Sequence, residues 1–99
     1  MNPCILKNMD ISTCHITERD SQLLGLVEQE NPLVVYPYEY GFLVYAAYDD
    51  RVARHQAAQQ FGYSPSLVAL LEMATQHGCH YLHLDEAGEE YEELASFEW

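Results

Sequence analysis

The chain of 99 residues is one domain in length, and 48 % apolar with 12 % aromatic residues is a composition that folds rather than staying disordered. Sixteen acids against four bases give a formal net charge of −12, which excludes direct binding to nucleic acid by phosphate neutralisation and disfavours anionic membrane surfaces. No apolar run approaches the ~20 residues that span a bilayer, the first residues lack a signal-peptide pattern, and Cys4, Cys14 and Cys79, with no CxxC pair, read as reduced thiols; the expected location is the cytoplasm.

Residues 4–11 read as a strand with Ile5, Met9 and Ile11 on one face. Thr17 is placed to cap a helix over 18–29, with Asp20 three residues on and Leu23, Leu24 and Val27 on one side. Asn31-Pro32 closes it. Residues 33–48 are rich in Val and Tyr, which favour a pleated surface, and predict strands at 33–38 and 42–48. The connection between them is read as three residues ending in Gly41 at positive φ, a hairpin with a bulge. Pro37 lacks an N–H, so the first of these strands is expected at a sheet edge or bulged. Val34, Tyr36 and Tyr38 alternate onto one face, with Leu33, Val35 and Pro37 on the other.

Asp49 or Asp50 can cap a helix from Arg51 that carries Val52, His55, Ala58 and Phe61 at near-helical spacing and stops at Gly62. Ser64-Pro65 starts the next, at 65–77, whose Leu67, Leu70, Leu71 and Ala74 form the clearest apolar stripe. Residues 79–84 read as a strand with His80, Leu82 and Leu84 on one face and Cys79, Tyr81 and His83 on the other. Asp85 to Gly88 has turn composition. Residues 89–99 fit a helix or an extended return strand, with the extended form favoured and Phe97 and Trp99 docked on the body. The resulting order, β-α-β-β-α-α-β-β, predicts a single α+β domain over 1–99, an antiparallel sheet of four to five strands with helices on one face.

The charges are polarised along the chain. Every base lies at or before Arg54, and residues 85–99 hold seven acids, Asp85, Glu86, Glu89, Glu90, Glu92, Glu93 and Glu98. One reading is a solvated face that keeps a small protein soluble. The other is a negative surface for a basic partner: side chains two apart on a strand are ~6.6–6.8 Å apart, a coarse imitation of DNA with one charge per ~1.7 Å of axis, and electrostatic steering tolerates imperfect registry. Tyr36, Tyr38 and Tyr40 add aromatic contact chemistry.

Catalytic and metal readings fare worse. His77, Cys79, His80, His83 and Asp85 are close in sequence, but on a strand Cys79 and His83 sit ~13 Å apart while His80 points away. Cys14-His15 and Cys79-His80 are adjacent pairs whose side chains diverge on extended backbone, which a nucleophile–base pair cannot use. The carboxylates imply no cleft, and no Gly-rich phosphate loop is present. No catalytic residue, metal or cofactor is therefore assigned, and the chain is not expected to be an enzyme.

The run Ile11-Ser-Thr-Cys-His-Ile-Thr17 resembles the opening of an uncharacterised family of short acidic bacterial proteins carried on plasmids, prophages and integrative elements. The likeness continues through Val35-Tyr-Pro-Tyr-Glu-Tyr-Gly41-Phe-Leu-Val-Tyr, Gly78-Cys-His-Tyr-Leu-His-Leu-Asp85 and Leu94-Ala-Ser-Phe-Glu-Trp99; Cys14 stands where the family pattern has Ala. The resemblance implies a compact soluble domain and a mobile-element setting, and supplies no activity. Charge and setting together predict an acidic protein-binding inhibitor, a nucleic-acid mimic of anti-CRISPR or anti-restriction type, docking a basic surface of a host protein or nucleoprotein complex through Asp85, Glu86, Glu89, Glu90, Glu92 and Glu93. The alternative is a small adaptor that binds a protein through Tyr36, Tyr38 and Tyr40, with the acids serving solubility alone.

Overall fold

The computed structural model describes residues 5–26 and 30–99. Its elements are β1 (Asn8–Ser12), a 3-10 turn (Thr13–His15), α1 (Glu18–Leu24), β2 (Val35–Tyr38), β3 (Gly41–Tyr45), α2 (Arg51–Phe61), α3 (Pro65–Gln76) and β4 (Tyr81–Asp85). This is the expected α+β class. The four strands form one sheet in the order β1-β4-β3-β2.

Two features of the sheet differ from expectation. It is mixed: β3 pairs antiparallel with β2 and β4, but β1 runs parallel to β4. The two helices between β3 and β4 turn the chain twice and return it antiparallel to β3; the vacant edge of β4 then takes β1, a pairing across most of the chain that alternation within β1 does not encode. The final strand is also missing. Residues 86–99 carry two turns, at 86–87 and 92–93, and join no ladder. They do dock, as expected: Phe97 N–H donates to Cys14 O at 2.8 Å and the Trp99 indole N–H to Ile16 O at 3.0 Å.

Within the strands the predicted faces are reproduced, but two flanking residues depart from expectation: Ile5 precedes β1 and is 75 % exposed instead of sharing a face with Met9 and Ile11, and Cys79 precedes β4 and is buried in the core instead of facing outward with Tyr81 and His83. Leu82, Leu84, Ile11, Val44 and Val35 are buried with Leu67, Leu70, Leu71 and Ala74 of α3 in one core, and α1 adds Leu23 and Leu24. Each fully buried Leu stabilises the fold by ~1.5–3 kcal/mol. Val52 is a correction: it is 68 % exposed, while His55 and Ala58 of the same stripe are buried as expected. Val27 and the end of the predicted 18–29 helix lie outside the described residues, as does Cys4 at the start of the predicted first strand; α1 is described as ending at Leu24.

Asp20 ties the helix starts together. Its carboxylate accepts from Thr17 N–H (3.1 Å), completing the capping box of α1, and also from Ser64 N–H (2.8 Å) and Ser64 Oγ–H (2.5 Å). Ser64 in turn caps α3, its Oγ accepting from Leu67 N–H. A fully buried carboxylate is tolerable here because three donors replace its water.

The hairpin is tighter than expected. Only Glu39 and Tyr40 separate β2 from β3, and the positive-φ residues described are Glu30, Gly62 and Gly78, so Gly41 is not among them. Gly41 is needed for another reason: a Cβ there would fall 1.8 Å from Leu84 O of the neighbouring strand. Pro37 behaves as an edge residue should. Tyr45 N–H donates to Val34 O, and strict alternation from that bond turns the backbone polar groups of Val35 and Pro37 away from β3, where a missing N–H costs no ladder bond.

Candidate functional site

The face of the sheet opposite the helices carries Asp10, His83, Leu43 and Tyr36 in one cross-strand row and Ser12, Asp85, Gly41 and Tyr38 in the next. Cross-strand neighbours on one face stand ~4.5–5.5 Å apart at Cβ, close enough for these polar groups to connect. His83 Nδ1 lies 2.7 Å from Asp10 Oδ1 and its Nε2 lies 2.6 Å from the Tyr38 hydroxyl, which also donates to Asp85 Oδ2. Asp85 further accepts from Ala87 N–H at 2.8 Å, closing the turn after β4. The Tyr38 hydroxyl bond, then the Ala87 N–H, holds the Asp85 carboxyl below its ordinary 3.8. The Tyr38 hydroxyl is pushed up to about 12, first by loss of surrounding water and then by the hydrogen bond to Asp85 and the charges of Asp85 and Asp10. The phenol is thus held as a neutral donor, and the network latches the edge strand β2 to β4 and β1.

The chain after β4 folds back over β1. Gly88 makes this possible, since a Cβ there would lie 2.4 Å from Ile11 O, and Ser12 N–H then donates to Glu89 O at 2.8 Å. His15, 2 % exposed, anchors the next stretch with both ring nitrogens: Nε2 accepts from Tyr91 N–H (2.9 Å) while Nδ1 faces Ala95 O (2.8 Å), which requires the hydrogen on Nδ1. The Cys14-His15 pair is therefore a clamp for the C-terminal segment. Cys14 Sγ reaches Glu90 Oε1 at 3.5 Å.

The result is a groove of 510 Å³ at the hairpin end of the sheet, between the Glu39-Tyr40 turn, the start of α1 and the returning segment. Tyr38, Glu39, Tyr40, Glu86, Glu90, Phe97 and Trp99 line it together with Ser12, Thr13, Cys14 and Ser21. Glu86 N–H donates to Tyr40 O at 3.0 Å, fixing one wall to the other. A second cleft of 260 Å³ next to it is bordered by Asp10, His83, Asp85 and Glu89.

Of the site residues expected from sequence, Tyr38, Tyr40, Glu86 and Glu90 share the groove, and Asp85 and Glu89 border the adjoining cleft. Tyr36 is 55 % exposed on the open face, and Glu92 and Glu93 are exposed on the returning segment; these three line neither cavity. Asp10, His83, Glu39 and Trp99 were not expected there. The i, i+2 spacing of His83 and Asp85 on one strand face is the signal that places two of the network's members together. The metal-type spacing around residue 80 does not converge: His80 Nδ1 accepts from Lys7 N–H, Cys79 is buried in the core, and His83 is committed to Asp10 and Tyr38. Among the described residues no group of three or more His, Cys, Asp or Glu is arranged to hold a metal ion, and no helix is long and apolar enough to cross a membrane.

No curated protein and no solved structure matches the chain. A family profile does, over residues 8–99: the chain belongs to a family of unknown function, DUF5983, and matches its C-terminal domain.

Proposed function

We propose that this DUF5983 chain is an acidic protein-binding inhibitor that docks a basic surface of a host protein or nucleoprotein complex. The observation that carries the reading is the joining of the Tyr hairpin and the acidic segment, with Tyr38 and Asp85 47 positions apart in sequence, into the walls of one groove. Acids steer a basic partner and set its orientation, while exposed Tyr40 and Trp99 supply the contact area on which affinity depends. Of the residues on which the two alternative sequence readings rest, Tyr38 and Tyr40 from one and Glu86 and Glu90 from the other share this groove. The finer reading, a nucleic-acid mimic of anti-CRISPR or anti-restriction type, takes its support from the net charge of −12, and its mobile-element setting from the sequence resemblance alone. The acids follow a bent segment rather than a strand, so charge density, not phosphate spacing, is what such a mimic would imitate.

Partner capture from host lysate tests this when combined with two variants. Replacing Glu89, Glu90, Glu92 and Glu93 together with Gln should slow association and flatten its salt dependence, while any single replacement changes little, since an exposed pair is worth ~0–1 kcal/mol. Nucleic acid should compete for the captured partner. If the fourfold variant binds normally at physiological salt while Tyr36→Ala, Tyr38→Ala and Tyr40→Ala together abolish capture, the acids serve solubility and the adaptor reading replaces the inhibitor.

A further inference from the structure

We propose that the groove at the hairpin end is a socket for an arginine side chain of the partner; this deepens the protein-binding reading and rests on it. Three carboxylate residues, Glu39, Glu86 and Glu90, and the rings of Tyr38, Tyr40 and Trp99 line the groove, and its described lining contains no Lys, Arg or His. An anionic ligand would meet repulsion from all three carboxylates. A neutral apolar ligand would leave them desolvated without a partner. A cation with a flat, weakly hydrated face suits both the rings and the acids, and that is a guanidinium rather than the compact, strongly hydrated ammonium of lysine.

The molecule already uses this chemistry once. The Arg54 guanidinium stacks over the Tyr48 ring at 4.5 Å from its centroid and pairs with Asp50 at 3.6 Å. The groove repeats the combination of Tyr face and carboxylate with no base of its own to fill it.

The walls are also fixed in advance. Tyr38 is held through its hydroxyl by Asp85 and His83, and Trp99 through its indole N–H by Ile16 O. Their polar ends are thereby committed, so what they offer a ligand is ring surface. Binding to rings already positioned avoids much of the ordering cost that weakens exposed contacts. At 510 Å³ the groove falls within the ~300–1,000 Å³ range typical of ligand pockets, with room for one long side chain and the backbone that carries it.

The test uses three blocked peptides of alternating Gly with Arg, with Lys or with citrulline, titrated into the full chain. Trp99 is the single Trp, so one indole N–H resonance reports the groove. The Arg peptide should shift that resonance and bind about fivefold more tightly than the Lys peptide, and the neutral citrulline peptide should not bind. The triple variant Glu39→Gln, Glu86→Gln, Glu90→Gln should weaken the Arg peptide about tenfold. A control that removes the same charge elsewhere, Glu18→Gln, Asp49→Asn, Glu72→Gln, should weaken it less than about twofold. Should the groove triple fail to fold by circular dichroism, Tyr40→Leu takes its place, and removing that ring and its hydroxyl should abolish the Arg-over-Lys preference. Equal affinity for Arg and Lys, or equal losses in the two triples, would mean general attraction to a −12 chain and would overturn the socket. A chain that captures its host partner without any Arg preference loses the socket alone; one that prefers Arg but captures no partner keeps the socket and loses the inhibitor reading.

Discussion

On the helix-covered face of the sheet, Ile11, Leu84 and Phe42 stand in one cross-strand row and Met9, Leu82, Val44 and Val35 in the next; on the opposite face the same strands carry Asp10, His83, Leu43 and Tyr36, then Ser12, Asp85, Gly41 and Tyr38. The first set is held by area removed from water and needs no fixed partners, so any apolar residue of about the right volume serves. The second is held by hydrogen bonds whose partners come from β1, β2 and β4, and one displaced strand would separate them all. The contrast assigns stability to one face and a fixed arrangement of polar and aromatic groups to the other.

Leu71→Ala gives the largest expected effect. Leu71 is fully buried on α3, and its truncation should cost ~2–5 kcal/mol by urea denaturation, a large share of the stability of a domain this size, while the arrangement around Tyr38 persists in whatever fraction stays folded. An unmoved urea midpoint would contradict the division between the faces, because α3 would not be what holds the covered side. Gly41→Ala probes the boundary between them. The added Cβ would meet Leu84 O at 1.8 Å, forcing β3 and β4 apart at a cost of ~1–3 kcal/mol. In NMR spectra the His83 and Tyr38 resonances should shift along with those of Leu84. If only the core resonances move, the open face does not depend on this close approach.

Tyr38→Phe should have the smallest effect on stability at neutral pH, and its value lies in the pH profile. The Asp85 carboxyl is held down, so its share of the stability is present above the ordinary 3.8 and is lost as pH falls through the lowered value. The Tyr38 hydroxyl is held up, so its share is present below 10.0 and is lost as pH rises from there through about 12. The difference in urea midpoint between wild type and Tyr38→Phe should therefore be widest between about pH 4 and pH 10 and should shrink at both ends. A difference that stays constant from pH 3 to pH 11 would show that Phe disturbs packing rather than a hydrogen bond to a carboxylate.

The same contrast explains what could be read from the sequence. The α3 stripe and the alternation of Leu82 with Leu84 report periodicity, a property of a single segment, and both were legible. So were the caps at Thr17 and Ser64, because a cap is set within three residues. The Asp20 carboxylate shared between those two caps was not, since Ser64 lies 44 positions away. The parallel partnership of β1 with β4 lay beyond reach for the same reason. The role of Gly41 was misread because a glycine between strands suggests a turn requirement, whereas the demand here comes from the backbone of β4. Tyr38, Tyr40, Glu86 and Glu90 stand out in the sequence by type, but that hairpin and tail meet in one groove follows from the return of the chain over Gly88.

The position of β4 has a consequence for how the protein is made. Among the described residues it is the last strand, and it stands between β1 on one side and the β2–β3 hairpin on the other. During synthesis those two parts emerge first and share no ladder; residues 81–85 must leave the ribosome before either gains its neighbour. Until then Ile11 and Val44 have no strand between them, and the nascent chain exposes the two edges that β4 later covers, one on β1 and the inner edge of β3, at the stage when strand edges are most prone to wrong pairing. A chain broken off before Tyr81 would thus lose the centre of its sheet rather than its margin.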